Sequence, residues 1–132
     1  MTADVNVRPV AVTAETAARA NACRFYDCVD AGDVPGLAAL FAPESSYHRP
    51  GYEPFPGPEG VARFYSEHRV IRSGRHHLTT VLATGRDVAV RGEFHGELHD
   101  GSPVDLRFAD FFRVGPDGRF TRRETFFFAP LV

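Results

Sequence analysis

Apolar residues recur at helical spacing in the first third of the chain and at alternate positions through its last half. Ala17, Ala18, Cys23, Phe25, Tyr26, Cys28 and Val29 predict a first helix over 13–31, with Thr13 as N-cap and Gly32 at its end. Asp33 is placed to cap a second, shorter helix with Pro35 in its first turn and Leu37, Leu40 and Phe41 on its apolar side. A brief strand over 45–49 follows, then a Pro- and Gly-rich loop over 50–60, within which Pro58 opens a third helix reaching His68. Four strands complete the chain, over 76–84, 87–99, 103–114 and 120–129, separated by Gly85-Arg86, Asp100-Gly101 and Pro116-Asp117-Gly118. Three helices ahead of an antiparallel meander predict an α+β fold in which the helices cover one face of a long curved sheet. Such a cone can hold a ligand.

Parity along the strands picks out an acid. On the third strand of the meander, Val104, Leu106, Phe108, Asp110 and Phe112 share one face, whereas Asp105, Arg107, Ala109, Phe111 and Arg113 share the other. A three-residue loop with Gly118 in the left-handed region pairs Gly115 with Arg119, and so sets Asp110 opposite Glu124. Phe108, Phe112, Phe126 and Phe128 are then neighbours, with Arg122 a diagonal step away. A loop one residue longer would move Glu124 to the other face. Like charges opposed on an apolar face cost stability, which leaves two readings. Either the two acids are a cavity dyad, one protonated and one a base helped by Arg122, or Arg122 neutralises one while the other leans to solvent. The preceding strand turns Val88, Val90, Gly92, Phe94, Gly96 and Leu98 inward and His95 and His99 outward. Its two inner glycines mark sharp curvature or room for a ligand, and keeping this face apolar requires a bulge or a longer turn at Asp100-Gly101.

Length and charge narrow the class. A chain of 132 residues fits one domain over 1–132, with 1–12 as an arm, and a net charge of -2 offers no footprint for nucleic acid or an anionic membrane. No apolar run approaches the roughly 20 residues of a membrane helix, and the first residues do not resemble a leader, so a cytoplasmic address is expected. Cys23 and Cys28 are spaced for neither a disulfide nor a metal site, the six histidines form no metal motif, and a phosphate loop and a nucleophile elbow are both missing. No metal and no cofactor are expected.

The order helix, helix, short strand, helix, four strands carries Phe25-Tyr-Asp-Cys-Val-Asp-Ala-Gly-Asp33, Phe41-Ala-Pro-Glu-Ser-Ser-Tyr47 and Phe112-Arg-Val-Gly-Pro-Asp-Gly-Arg-Phe120. In this it resembles the cone-shaped superfamily of nuclear transport factor 2, ketosteroid isomerase and the SnoaL-like polyketide cyclases. Asp110 matches the oxyanion-hole aspartic acid of the isomerases, while their helix-one tyrosine falls on Phe25 and their general-base aspartate on Arg49. The resemblance therefore implies a SnoaL-like cyclase rather than a steroid isomerase: a cofactor-independent enzyme closing a ring in a small apolar or aromatic substrate by epoxide opening or aldol chemistry. It also implies a homodimer, with Phe111 and Phe127 among Arg107, Arg113 and Arg123 on the outward face.

The candidate catalytic residues are Asp110, Glu124, Tyr47, His76 and Glu67. Tyr47 stands either at the cavity wall or in the core. His76 shares parity with Leu78, Thr80 and Leu82, and the resemblance places it with Glu67 and Arg69 at the mouth of the cone. Arg72 and Arg75, nearby, read as solvated charge. Substrate contacts fall to Phe94, Phe108, Phe112, Phe126, Phe128 and Arg122, with Tyr52 and Phe55 closing the 51–57 loop as a lid. The alternatives are an epoxide hydrolase or dehydratase of the same fold and a noncatalytic ligand-binding or dimerisation domain.

Overall fold

The structure, a computed structural model, describes residues 3–129, with side chains from residue 14 onward. Helix α1 is Ala3–Ala31, so its backbone also takes in residues 3–12, and the Thr13 side chain expected as a cap lies outside the described residues. The inward stripe of α1 is Ala18, Ala22, Phe25, Tyr26 and Val29, a helical repeat of apolar positions. Gly32, at φ 72, ends the helix as expected. Helix α2, Val34–Ala38, is capped by the Asp33 side chain, which accepts from the Gly36 backbone N–H at 2.9 Å. Strand β1, Phe41–His48, starts four residues ahead of the predicted strand, and a two-residue strand β2, Phe55–Pro56, pairs back onto it. Helix α3, Gly57–Arg63, runs directly into a π-helical turn, Phe64–His68.

Strands β3 (Ile71–Thr84), β4 (Asp87–Leu98), β5 (Pro103–Val114) and β6 (Phe120–Phe127) form the meander. The six strands lie in the order β2-β1-β6-β5-β4-β3, antiparallel except for the parallel pair β1 and β6. The sheet is curved but does not close into a barrel. Its inner face carries Val88, Val90, Phe94, Val104, Phe108 and Phe112, buried against the α1 stripe, Val61 and Phe64. At about 25 cal/mol per Å2 of apolar surface removed from water, this aromatic layer is the main support of the fold. Among the described residues no helix is long and apolar enough to cross a membrane.

The irregularities decide which side chains face inward. The β4–β5 connection is the longer turn that the apolar pattern demanded: Leu98 and Ser102 close it at 2.9 Å with Gly101 at φ 88, and Val90 pairs with Asp110. Gly92 borders an open cavity of about 470 Å3 with Arg107, Phe126 and Phe128, and both Gly92 and Gly96 also serve strand contact. A Cβ at Gly96 would lie 2.2 Å from the Ser73 carbonyl, and one at Gly92 2.5 Å from that of His77, so these glycines let β3 approach β4 closely. A bulge at Thr79 reverses the parity of β3, turning Val81 and Ala83 inward and leaving Leu82, expected inside, 62% exposed.

The last hairpin has the predicted loop, with Gly118 at φ 86 and Gly115 N–H on the Arg119 carbonyl at 2.8 Å. Its expected register fails two residues later. Val114 pairs with Phe120 but Arg113 pairs with Arg122, so Thr121 bulges out and every residue beyond it changes face. Asp110 stands opposite Thr125, and Glu124 stands opposite Phe111 on the outer face. Phe126 and Phe128, predicted as cavity wall, are 47% and 77% exposed, and Phe127 turns toward the core in their place.

Candidate active site

Asp110 is fully buried on β5 and receives three donors. The Tyr26 hydroxyl and Arg123 Nη2, the latter at 3.0 Å, reach Oδ2, while the Thr125 hydroxyl donates to Oδ1. The carboxylate is thus an acceptor held by an ion pair, not half of an acidic dyad. Arg123 also donates from Nη1 to the Tyr65 hydroxyl at 2.8 Å and stacks within 4.3 Å of the Phe25 ring and 4.5 Å of the Tyr47 ring. Burial opposes its charge, but Asp110 and the surrounding tyrosine hydroxyls outweigh burial and hold the guanidinium protonated well beyond the usual arginine range.

A second constellation lies across the same inner face. Asp30, in the last turn of α1, accepts from His76 twice: from Nδ1 at 2.6 Å and from the backbone N–H at 2.9 Å. With Nδ1 donating to a carboxylate, Nε2 is left as the lone-pair nitrogen of the ring. The imidazole is packed among Tyr26, Phe94 and Phe108, with centroids 5.0, 4.7 and 5.4 Å away. Burial pushes the His76 pKa below its ordinary value of 6.5 despite the opposing pull of Asp30. The ring is therefore neutral at neutral pH.

Both groups border one cavity of about 20 Å3, lined by Arg49, Tyr65, Arg69, Ile71, His76, Phe94, Leu106, Phe108, Asp110, Arg123, Thr125 and Phe127. Its size is that of a single water molecule, so a larger ligand enters only if lining side chains move. Of the residues singled out in the sequence, Asp110, His76, Phe94 and Phe108 line it. Phe112 is buried behind, against Tyr26 and Phe25.

Tyr47 does not line the cavity. Its hydroxyl accepts from Arg49 Nη1 at 2.8 Å and stands 3.4 Å from Thr125 Oγ1. Burial raises its pKa, but Arg123 and Arg49 together outweigh that and bring it below the ordinary value of 10.0. Glu67 is exposed on the π-helical turn, away from the cavity. Glu124 and Arg122 meet each other at 3.5 Å on the outer face. Tyr52 and Phe55 do not form a free lid: Phe55 pairs with Tyr47 in the sheet and stacks on it at 6.0 Å, and the Tyr52 hydroxyl reaches the His68 carbonyl at 3.3 Å.

The sequence reading missed Asp30, Tyr26, Tyr65 and Thr125, set Arg123 on the outer face where the structure buries it, and brought Arg69 to the mouth of the cone without a role. One signal for the first two was available, because Ala22, Tyr26 and Asp30 are successive i, i+4 positions on the buried stripe, and an acid continuing an apolar row asks for a partner. Tyr26, one residue beyond the Phe25 that occupies the isomerase tyrosine position, supplies the hydroxyl on Asp110. Arg123 and Thr125 had no signal, since only the bulge turns them inward. Among the described residues no group of three or more His, Cys, Asp or Glu is placed to hold a metal ion.

The SnoaL-like domain model matches residues 22–123. The chain is 25% identical to a candidate ketosteroid isomerase from Kribbella flavida DSM 17836, with a TM-score of 0.72 over 89% of this chain and 82% of that one. SalBIII, an epoxide hydrolase/cyclase-like enzyme in pyran ring formation in the polyether salinomycin, aligns with a TM-score of 0.75 at 16% identity, over 86% of this chain and 92% of that one. An LEH-like epoxide hydrolase of M. tuberculosis aligns with a TM-score of 0.74 at 18% identity, over 86% and 84%. No curated protein matches the chain.

Proposed function

The chain belongs to the SnoaL-like domain family, within the NTF2-like superfamily, and from that premise we propose a cofactor-independent acid–base enzyme of the cytoplasm that closes a ring in a small, largely apolar substrate. The observation that carries this reading is the placement of a neutral, Asp30-held His76 and an Arg123-held Tyr65 on the same cavity. One is a base and the other a proton donor, as intramolecular epoxide opening requires. His76 Nε2 takes the proton of the substrate hydroxyl as that oxygen attacks an epoxide carbon. The C–O bond breaks, the epoxide oxygen takes the Tyr65 proton, and the proton on His76 returns to the tyrosine oxygen through solvent. In an aldol closure the same base removes a proton α to a carbonyl, and the charge collecting on oxygen falls beside Arg123.

In this proposal Asp110 is not the proton-transfer group. It holds Tyr26, Thr125 and Arg123, and through Arg123 it orients Tyr65. A second reading, opening of an epoxide by water, is favoured by a cavity of about 20 Å3, the room of the one water it would activate. The outer face, with Phe111 and Phe126 in edge contact at 5.8 Å and both exposed, is the surface we propose for a homodimer. The test is turnover of aromatic and prenylated hydroxy-epoxides by the parent and by His76→Ala. We expect a cyclic ether whose formation falls by about 100-fold or more in the variant, the range for loss of a general base. A diol as the product selects the hydrolytic reading, and equal turnover by His76→Ala overturns both.

A further inference from the structure

The cavity is far more cationic than the chain. Against a net charge of -2 overall, its lining carries three guanidinium groups, Arg49, Arg69 and Arg123, and one carboxylate, Asp110. That carboxylate is already taken by Arg123, Tyr26 and Thr125. Arg49 donates to the Tyr47 hydroxyl. Arg69 differs from both. Among the described residues its guanidinium has no carboxylate and no hydrogen-bond acceptor, and its Nε, like that of Arg123, is buried without a hydrogen bond. It rests instead over two rings, 5.3 Å from the Tyr65 centroid and 5.6 Å from that of Phe94. Glu97, a carboxylate of the adjoining strand, is engaged by Arg72.

A half-buried guanidinium set beside two like charges, with its Nε out of reach of water, is a costly arrangement unless an anion completes it. Burial, reinforced by Arg49 and Arg123, depresses the Arg69 pKa against the pull of Tyr65, which is the electrostatic mark of that cost. Beside the polar groups Tyr65, His76 and Thr125, the remaining wall, Ile71, Phe94, Leu106, Phe108 and Phe127, is apolar. A planar fork with free donors above aromatic faces suits a planar, singly charged acid joined to an apolar ring.

We propose that the substrate carries a carboxylate, which Arg69 binds while the apolar body lies against Phe94, Phe108 and Phe127. This deepens the acid–base reading of the site and rests on it. It makes Arg69 a specificity residue, distinct from the proton-transfer pair His76 and Tyr65.

Binding of 2-naphthoate and of its uncharged counterpart 2-naphthamide, measured by calorimetry on the parent protein, tests the idea without a known substrate. Naphthoate should bind at least about tenfold more tightly, as expected for charge-assisted hydrogen bonds to a desolvated partner. In Arg69→Met, with folding checked by thermal unfolding, the preference should vanish while naphthamide binding stays. Equal binding of the two by the parent protein, or binding of neither at millimolar concentration, overturns the proposal, as does a preference that survives Arg69→Met. Were Arg69 to serve a developing oxyanion instead, Arg69→Met would lower turnover while the parent bound both compounds alike. Failure of the acid–base reading looks different: His76→Ala would keep the naphthoate preference and lose no turnover.

Discussion

Arg122 and Arg123 are adjacent on β6 and occupy opposite worlds. Arg122 is about half exposed on the outer face, where it touches His48 at 3.0 Å and Glu124 at 3.5 Å. Arg123 is 3% exposed on the inner face, bonded to Asp110 and Tyr65 and stacked on three rings. An exposed ion pair competes with water and salt and gains little, whereas a buried one has no alternative partner and becomes expensive to break. The same contrast separates the two acids expected to act together. Glu124 shares the fate of Arg122, and Asp110 that of Arg123. Charge type and sequence neighbourhood therefore say little about what either residue contributes; the face of the sheet says most of it.

The contrast breaks most visibly at Asp110. Asp110→Asn leaves Arg123 buried without its counter-ion, and chemical denaturation should show a loss of about 3–5 kcal/mol. A loss under about 1 kcal/mol would mean that the inner pair is worth no more than the outer one. Next in size is the pH response of His76. Because burial depresses its folded pKa below 6.5, the unfolded chain takes up the proton more readily. Its contribution to stability is fully present above that ordinary value and is lost as pH falls through it toward the folded pKa. The rate should fall along an acid limb whose midpoint lies below 6.5, and Ala at position 76 should abolish the limb in any residual activity.

Deleting Thr121 sharpens the comparison further. If the bulge only sets the register, the deletion keeps Arg123, Thr125 and Phe127 inward at a cost of about 1–2 kcal/mol, and cross-strand contacts between Ala109 and Phe126 persist in solution spectra. Arg122 and Glu124 now facing inward would show that the bulge has another role. The smallest effects belong to the outer face: Arg122→Ala and Glu124→Gln should each change stability by less than about 1 kcal/mol, an effect that added salt reduces.

Much of the fold was readable residue by residue. The apolar rows of α1 and of β4 and β5, and the turn glycines Gly85, Gly101 and Gly118, are local signals whose physics lies within a few residues, and they stand where expected. Asp110 and His76 were legible as polar residues on inward faces. Their partners were less so. Asp30 meets His76 across 46 residues and Tyr26 meets Asp110 across 84, contacts that follow from how α1 lies on the sheet.

By itself, then, the sequence determined the class of fold, the loops that join its strands, and the acid on the apolar face of β5, because periodicity and turn chemistry act over short distances. Tertiary structure alone decided the rest. A bulge at Thr79 and another at Thr121 exchange the faces of the last five residues of β3 and of β6 from Arg122 onward, and a bulge answers to the twist and bending of the whole sheet, which no local pattern encodes. One extra residue in one strand put Thr125 opposite Asp110 where Glu124 was expected and brought Arg123 inward beside them, so that a buried ion pair on a cationic cavity stands in place of a carboxylate pair.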